Sequence, residues 1–308
     1  MRIEGNRITV RERAQVRPSH DGGEALAIDD AIARNVAHFT SKTSRVQKWT
    51  YRAIVGLVGL AIILLAWQAV SMWVYEVKGV VYPSPLDTAS RLIYLLEGSK
   101  LYDHTILEHV SSSIMRWATG YLLAVASGIV IGMLMGANPV LNSIGMTPMT
   151  VLQLIPGLAW IPIALLLFGL GETSTVFMIY MTVLPAVAIS TASGIRGTPP
   201  IYRRAASSLG TSNLGMFFRV LLPAASLHIL NGLRIGLANG WRVLIAAEMV
   251  VGIGLGLGYV LVQARWSLDY EAAFVSILLI CGIGLFIEKI LFSVAERRVR
   301  DRLGLGAE

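Results

Sequence analysis

Charge is scarce in this chain. Asp, Glu, Lys and Arg make up 15% of its 308 residues, against roughly a quarter in an ordinary soluble domain, while 55% are hydrophobic and the mean hydropathy is +0.64. That balance excludes a water-soluble globular domain and points to an integral membrane protein. Cysteine is nearly absent: Cys281 stands alone inside an apolar run, so there is no intramolecular disulfide and no thiolate cluster for a metal. The five histidines are scattered, and His104 and His109 are too poorly spaced to share a helical face. No GxxxxGK[ST] loop is present, so the chain is not the usual ATP-hydrolysing subunit. Gly252, Gly254, Gly256 and Gly258 alternate without fitting GxGxxG, and they read as an extended segment at the outer end of a span, not a dinucleotide site. The net charge of +7 and pI near 9.7 do not imply nucleic acid, because the basic residues flank apolar runs and do not gather on one face.

What the chain has instead is long apolar runs. Residues 1 to about 45 are polar and mixed in charge, without the apolar core and cleavage site of a signal peptide, and are expected to stay in the cytoplasm. Within them Ile28, Ile32, Val36 and Phe39 fall at helical spacing, which predicts a short amphipathic helix. Residues 53–74 are 22 uncharged residues, enough to cross a hydrocarbon core about 30 Å thick. Arg45, Lys48 and Arg52 before them place the N-terminus inside. Tyr82-Pro83-Ser84-Pro85 then breaks the chain, and Leu86 to about Glu108 reads as one or two short amphipathic helices on the outer face. From Trp117 to Gly171 no charged residue or histidine occurs in 55 residues; as one helix this would be about 80 Å long, so it crosses twice, turning near Asn138-Pro139.

Parity supplies the rest. Arg196, Arg203, Arg204 and Arg219 mark one cytoplasmic side, and Lys289, Arg297, Arg298, Arg300 and Arg302 mark another, so an even number of crossings separates them. The six expected spans are about 53–74, 114–137, 145–170, 173–195, 226–252 and 270–295, with both termini in the cytoplasm. Nineteen of the 26 Lys and Arg then lie inside. Prolines 148, 156, 162 and 185 mark kinks. Gly120, Ala124, Gly128, Gly132 and Gly136 recur every four residues in the second span, and Gly232, Gly236 and Gly240 do so in the fifth; such stripes let helix backbones approach closely, inside one subunit or across a homodimer contact. The fifth span carries Arg234, Arg242 and Glu248. Charges at membrane depth usually face the bundle interior or a water-filled path, so Arg242, near mid-span, is the candidate for attracting an anion; an internal salt bridge is the other reading for all three.

The segment Arg204 to Pro223, RAASSLGTSNLGMFFRVLLP, is a partly polar insert between apolar runs, confined to a water-exposed face by the price of exposing polar backbone to lipid. Its Ala205-Ala206 pair, Gly210, then Val220, Leu222 and Pro223 resemble the EAA loop of the permease subunits of binding-protein-dependent ABC importers, with Arg204 where that family usually has an acid. YPSP, IMRWATGYLLAVASGIVIGMLMG, LIPGLAWIPIALLLFGLGE and WRVLIAAEMV are similar to the nitrate, sulfonate, taurine and bicarbonate branch. The resemblance implies an all-α integral membrane fold of six spans with a cytoplasmic coupling helix, the MetI-like type I importer permease fold. It divides the chain into a tail (1–50), a permease domain (51–302, coupling loop 196–223) and a C-terminal tail (303–308). It implies a plasma-membrane transport subunit of a bacterium or archaeon, not an enzyme and without a cofactor of its own, ATP and Mg being bound by a partner ATPase. The implied partners are two cytoplasmic ATPases, a second permease copy, an external solute-binding protein and the lipid bilayer. Arg203, Arg204, Ala205, Ala206, Gly210 and Pro223 would couple to the ATPase, and Pro156, Pro162 and the fifth span would line the path of a small anion: a sulfonate, nitrate, bicarbonate or carboxylate. The alternative is a self-contained channel or secondary transporter.

Overall fold

The computed structural model describes residues 50, 51 and 54–302; the amphipathic helix expected around Ile28 to Phe39 and the tail 303–308 lie outside them. The chain divides into two compact units, Met1–Ala69 and Val70–Glu308. The first is described only as the opening part of helix α1, Ile54–Lys78, which is apolar and long enough to cross a membrane.

In the second unit, α2 (Pro85–Leu96) starts at a Ser84 cap: the Ser84 hydroxyl accepts from the Asp87 N–H, and the Asp87 carboxylate accepts from Ser84. Those bonds hold the Asp87 carboxyl below its ordinary carboxylate value. Between α2 and Ile106 the expected amphipathic stretch is not helical. Lys100–Leu101 (β1) and His104–Thr105 (β2) form an antiparallel hairpin, whose turn residues Tyr102 and Asp103 both have positive φ, 50° and 73°, the backbone that a tight two-residue hairpin needs. Helix α3 (Ile106–Ala137) begins eight residues before the expected second span, because Thr105 and Glu108 cap each other reciprocally.

The uncharged run after α3 is α4 (Pro139–Leu154), a tight turn at Gly157–Trp160, and α5 (Ile161–Phe168). The expected third span is thus a pair of helices bent by 99° at Ile155-Pro156, where proline disfavours a helical preceding residue and removes a donor. Helix α6 (Glu172–Arg196) follows, then α7 (Pro200–Ser208). Helix α8 (Asn213–Val251) is longer than the expected fifth span. Its turn at Phe217–Leu221 is widened to i→i−5 bonding, directly ahead of Pro223, which has no N–H for the regular ladder. The expected extended glycine segment is non-helical only as far as Gly256; Gly258 lies in the first turn of α9 (Leu257–Ser267), a short helix that hydropathy did not announce, and α10 (Tyr270–Asp301) follows. Among the described residues five helices, α1, α3, α6, α8 and α10, are each long and apolar enough to cross a membrane, and the bent pair makes a sixth if counted as one span.

Helix α6 is the centre of this unit: 61% of its most apolar window is buried. Both small-residue stripes are spent on it. From α3, a Cβ at Gly128 would stand 3.0 Å from the Val187 Cβ, one at Gly132 2.5 Å from the Thr191 Cβ and one at Gly136 2.7 Å from the Ile195 Cβ; from α8, a Cβ at Gly232 would stand 2.4 Å from the Ser190 Cβ. The stripes are therefore contacts inside one chain, and α6 is clasped on two sides at backbone distance. Trp117, Tyr121, Ile179, Val183, Leu237 and Trp241 fill the space between, and the Trp241 Nε1–H donates to the Ile280 carbonyl at 3.1 Å, tying α8 to α10.

Candidate functional site

The expected coupling segment is α7 and the turn after it. Helix α7 ends in a Schellman motif: the Gly210 N–H donates to the Ser207 carbonyl and the Thr211 N–H to the Ala206 carbonyl, with Gly210 at φ +70°. That left-handed position is what glycine supplies at a helix end. The Ser212 side chain then caps the next helix, accepting from the Gly215 N–H. Ala206 is buried, whereas Arg204, Ala205 and Gly210 are exposed, and Ile201, Tyr202, Leu209 and Leu214 present large apolar side chains to the surface. Arg203 turns the other way. Its Nη2 donates at 3.1 Å to the Ile195 carbonyl in the last turn of α6, which also accepts from the Thr198 N–H. The exposed face of α7 is therefore linked through Arg203 to the central helix.

The three charges expected along the fifth span have three different surroundings. Arg242 is exposed and makes no hydrogen bond or ion pair with the other described residues. It lies nine residues before the end of α8, about 14 Å along the axis, on a face with the exposed His228 and the half-buried Asn239. Arg234 faces α10, where its Nη2 meets Glu288 Oε1 at 3.2 Å. Glu248 is 1% exposed and faces no open path. Pro156 stands at the 99° bend, and Pro162 lies in the first turn of α5; a Cβ at Gly157, between them, would lie 2.1 Å from Val243 Cγ2, so the bend is pressed against α8 one residue from Arg242.

Glu248 belongs to a network at one end of the unit that sequence reading did not assemble. Arg116 Nη1 donates to Glu248 Oε1 at 2.7 Å and to the Leu255 carbonyl at 2.9 Å, while its Nη2 reaches Glu172 Oε1 at 3.2 Å. The Ser113 hydroxyl donates to the Glu248 carboxylate, 2.8 and 2.9 Å from its two oxygens. Three successive backbone N–H groups where α9 begins complete it: Gly256 donates to His109 Nδ1, Leu257 to Ser113 Oγ and Gly258 to Glu248 Oε2. With Nδ1 accepting, the His109 proton sits on Nε2, 2.9 Å from the Leu101 carbonyl of the hairpin. Gly256 has φ +130°, and a Cβ there would lie 2.6 Å from the Glu248 carboxylate carbon; this close wrapping is what the glycines permit. His109, Ser113 and Arg116, at i, i+4 and i+7, share one face of α3, a signal visible once the helix is known to start at Ile106. The arrangement pins the N-terminal ends of α3 and α6 to the C-terminal end of α8, an internal polar lock.

Over residues 128–301 the sequence matches the family of binding-protein-dependent transport system inner membrane components. The taurine transport system permease protein TauC of Escherichia coli (strain K12) is 31% identical over 258 residues, 82% of this chain and 93% of its own length. The nitrate import permease protein NrtB of Leptolyngbya laminosa is 34% identical over 200 residues, 65% of this chain and 71% of its own. Among solved structures, a chain of the MetNI methionine ABC transporter in an inward-facing conformation superposes with a TM-score of 0.50 at 18% identity, covering 68% of this chain and 97% of that one, a likeness of fold. Since the family match spans more than half the chain and a relative above 30% identity covers most of it, this chain belongs to the binding-protein-dependent transport system inner membrane components and is a permease subunit of an ABC importer.

Proposed function

We propose that this subunit passes a small anion, such as a sulfonate, nitrate, bicarbonate or carboxylate, into the cytoplasm by ATP-driven alternating access. Two copies would work with two cytoplasmic ATPases and an external solute-binding protein, with both termini inside the cell. The observation that carries this reading is Arg242. Placing an arginine at the middle of a span costs about 2.5–3.5 kcal/mol even on insertion scales, and such residues face water or protein, not lipid. Arg242 is exposed among the described residues, so we assign the face it shares with Asn239 and His228 to a wet path that a second copy closes. Nitrate, the solute named for one relative, is a small oxyanion, and taurine, named for another, carries a sulfonate beside its ammonium; a guanidinium recognises either oxyanion group through paired N–H donors.

The test is uptake into proteoliposomes holding the chain with its ATPase and binding protein. Arg242→Gln is expected to lower anion uptake by about tenfold, the worth of one charge-assisted hydrogen bond, with ATP hydrolysis by the complex retained; unchanged uptake and substrate preference would remove Arg242 from the path. Uptake that persists without the ATPase would instead support a self-contained transporter.

For coupling, the proposal is that the exposed face of α7 seats in the ATPase and that Arg203 hands its movement to α6. With Arg204 in place of the usual acid, the ATPase groove is expected to be acidic or neutral. Gly210 is then a site where charge and backbone can be separated. A Cβ there meets nothing within 4 Å, and Asn and Asp both tolerate the left-handed region better than other residues. Gly210→Asn is expected to keep most ATP-driven uptake, whereas Gly210→Asp, which places a carboxylate against that groove, is expected to lose most of it. Equal uptake by the two variants would show that the groove does not sense charge at this point.

A further inference from the structure

A cavity lies between α8 and the last turns of α10, lined by Leu227, Leu230, Asn231 and Arg234 from one helix and by Phe292, Glu296 and Arg300 from the other. The contributions fall at i, i+3, i+4, i+7 on α8 and at i, i+4, i+8 on α10, so each helix turns a single face to it. The floor is apolar, from the leucines and the phenylalanine. The rim carries both signs of charge: Arg300 meets Glu296 Oε1 at 2.8 Å, and Arg234 meets Glu288 Oε1 at 3.2 Å. The depth is informative as well. Beyond Phe286, α10 gains Glu288, Lys289, Glu296, Arg297, Arg298 and Arg300, so the cavity sits where the apolar run ends, at the level of lipid headgroups.

We propose that this cavity binds a small zwitterion, an oxyanion joined to a primary ammonium group, as in the headgroup of phosphatidylethanolamine. Arg234, Arg300 and Glu296 line the cavity and Glu288 pairs with Arg234 beside it, so these two guanidiniums and two carboxylates cancel in net charge. A simple anion placed there meets the repulsion of Glu288 and Glu296, and a simple cation that of Arg234 and Arg300, whereas a molecule carrying both charges satisfies both. Donors remain for it. A guanidinium has five N–H groups; Arg234 uses one nitrogen, Nη2, on Glu288, and Arg300 uses Nε and Nη2 on Glu296. Both ion pairs are half-exposed, and such pairs hold each other by only about 0–1 kcal/mol, so they can re-aim toward a ligand at little expense. The apolar floor receives the glycerol and upper acyl carbons of a lipid, or the short methylene chain of a soluble zwitterion.

The experiment uses the purified full-length chain in nanodiscs of phosphatidylglycerol and phosphatidylcholine, into which phosphatidylethanolamine is titrated, with retained lipid read by native mass spectrometry. Phosphatidylcholine presents a quaternary ammonium with no N–H and phosphatidylglycerol has no ammonium. Phosphatidylethanolamine is therefore expected to be retained about tenfold over both, the worth of one charge-assisted hydrogen bond, with the preference lost in Glu296→Gln and, independently, in Arg300→Gln. A second arm adds O-phosphoethanolamine or taurine to nanodiscs lacking phosphatidylethanolamine. Protection against thermal unfolding in the parent chain but not in either variant would place the ligand in solution and not in the bilayer. Equal retention of the three lipids together with no protection by the soluble zwitterions overturns the proposal, as does a preference that survives both substitutions.

Discussion

Arg116→Ala is expected to destabilise the subunit by about 3–5 kcal/mol, the range for removing one partner of a buried ion pair. The reason lies in what stays behind. The Glu248 side chain is wholly buried and that of Arg116 is 6% exposed, so truncating the arginine leaves a carboxylate with no counter-charge in a place that water does not reach. Ser113 and Gly258 still donate to it, but neither neutralises it. The same guanidinium also contacts Glu172, whose side chain is 66% exposed, and solvent-exposed pairs contribute about 0–1 kcal/mol. Glu172→Gln is therefore expected to change stability little. Thermal unfolding of the purified subunit separates the two: a large loss for Arg116→Ala and Glu248→Ala beside a small one for Glu172→Gln. Replacing both partners by apolar residues, as in Arg116→Met with Glu248→Leu, is expected to recover part of the loss, because it removes the orphan charge. Equal small losses for all three single variants would mean that water reaches Glu248 and that no lock exists.

This lock also marks the limit of what could be read from the chain. Apolar runs announce spans because lipid demands them, so the helices around α3, α6 and α10 were legible, as was the membrane class itself. Hydropathy cannot see where a polar face points. Ser113 lies just before the expected second span and Arg116 just inside it, yet both close on Glu248, more than 130 residues away in sequence. The helix start was in fact written at Thr105 and Glu108 as a reciprocal cap, a local signal that the search for an uncharged run passed over. The glycine segment is legible as non-helical as far as Gly256, because alternating glycines disfavour a helix, while Gly258 falls in the first turn of α9; its role depends on three N–H groups aimed at side chains of α3 and α8, which no local pattern encodes. Likewise Pro156 signalled a bend without its size. Glu248 and Arg234 looked alike in sequence as charges in one span, and only the neighbours of each helix face tell a lock from a cavity rim, and both from the uncovered Arg242.

Gly132→Val is expected to have the other large effect, breaking the clasp of α3 on α6. Even a methyl at this position would stand 2.5 Å from the Thr191 Cβ and 2.6 Å from the Ala188 carbonyl oxygen. Neither is the movable end of a long side chain, so the helices must separate. Overpacking of a filled core costs about 1–3 kcal/mol, and here the consequence spreads along the helix. Gly120, Gly128 and Gly136 hold α3 against the same partner, with Cβ approaches of 2.9, 3.0 and 2.7 Å, so a shift at Gly132 opens contacts on both sides of it. In a membrane no hydrophobic drive restores them, because lipid solvates the exposed apolar faces equally well. Gly282→Ala in α10 supplies the comparison: nothing lies within 4 Å of a Cβ there, and replacing a helical glycine by alanine favours the helix by about 0.8–1 kcal/mol. The two variants are expected to move the thermal midpoint of the purified subunit in opposite directions. Should Gly132→Val leave the midpoint unchanged, α3 and α6 are not held at backbone distance, and the route proposed for coupling, from α7 through Arg203 to a clasped α6, would lose the rigid element it depends on.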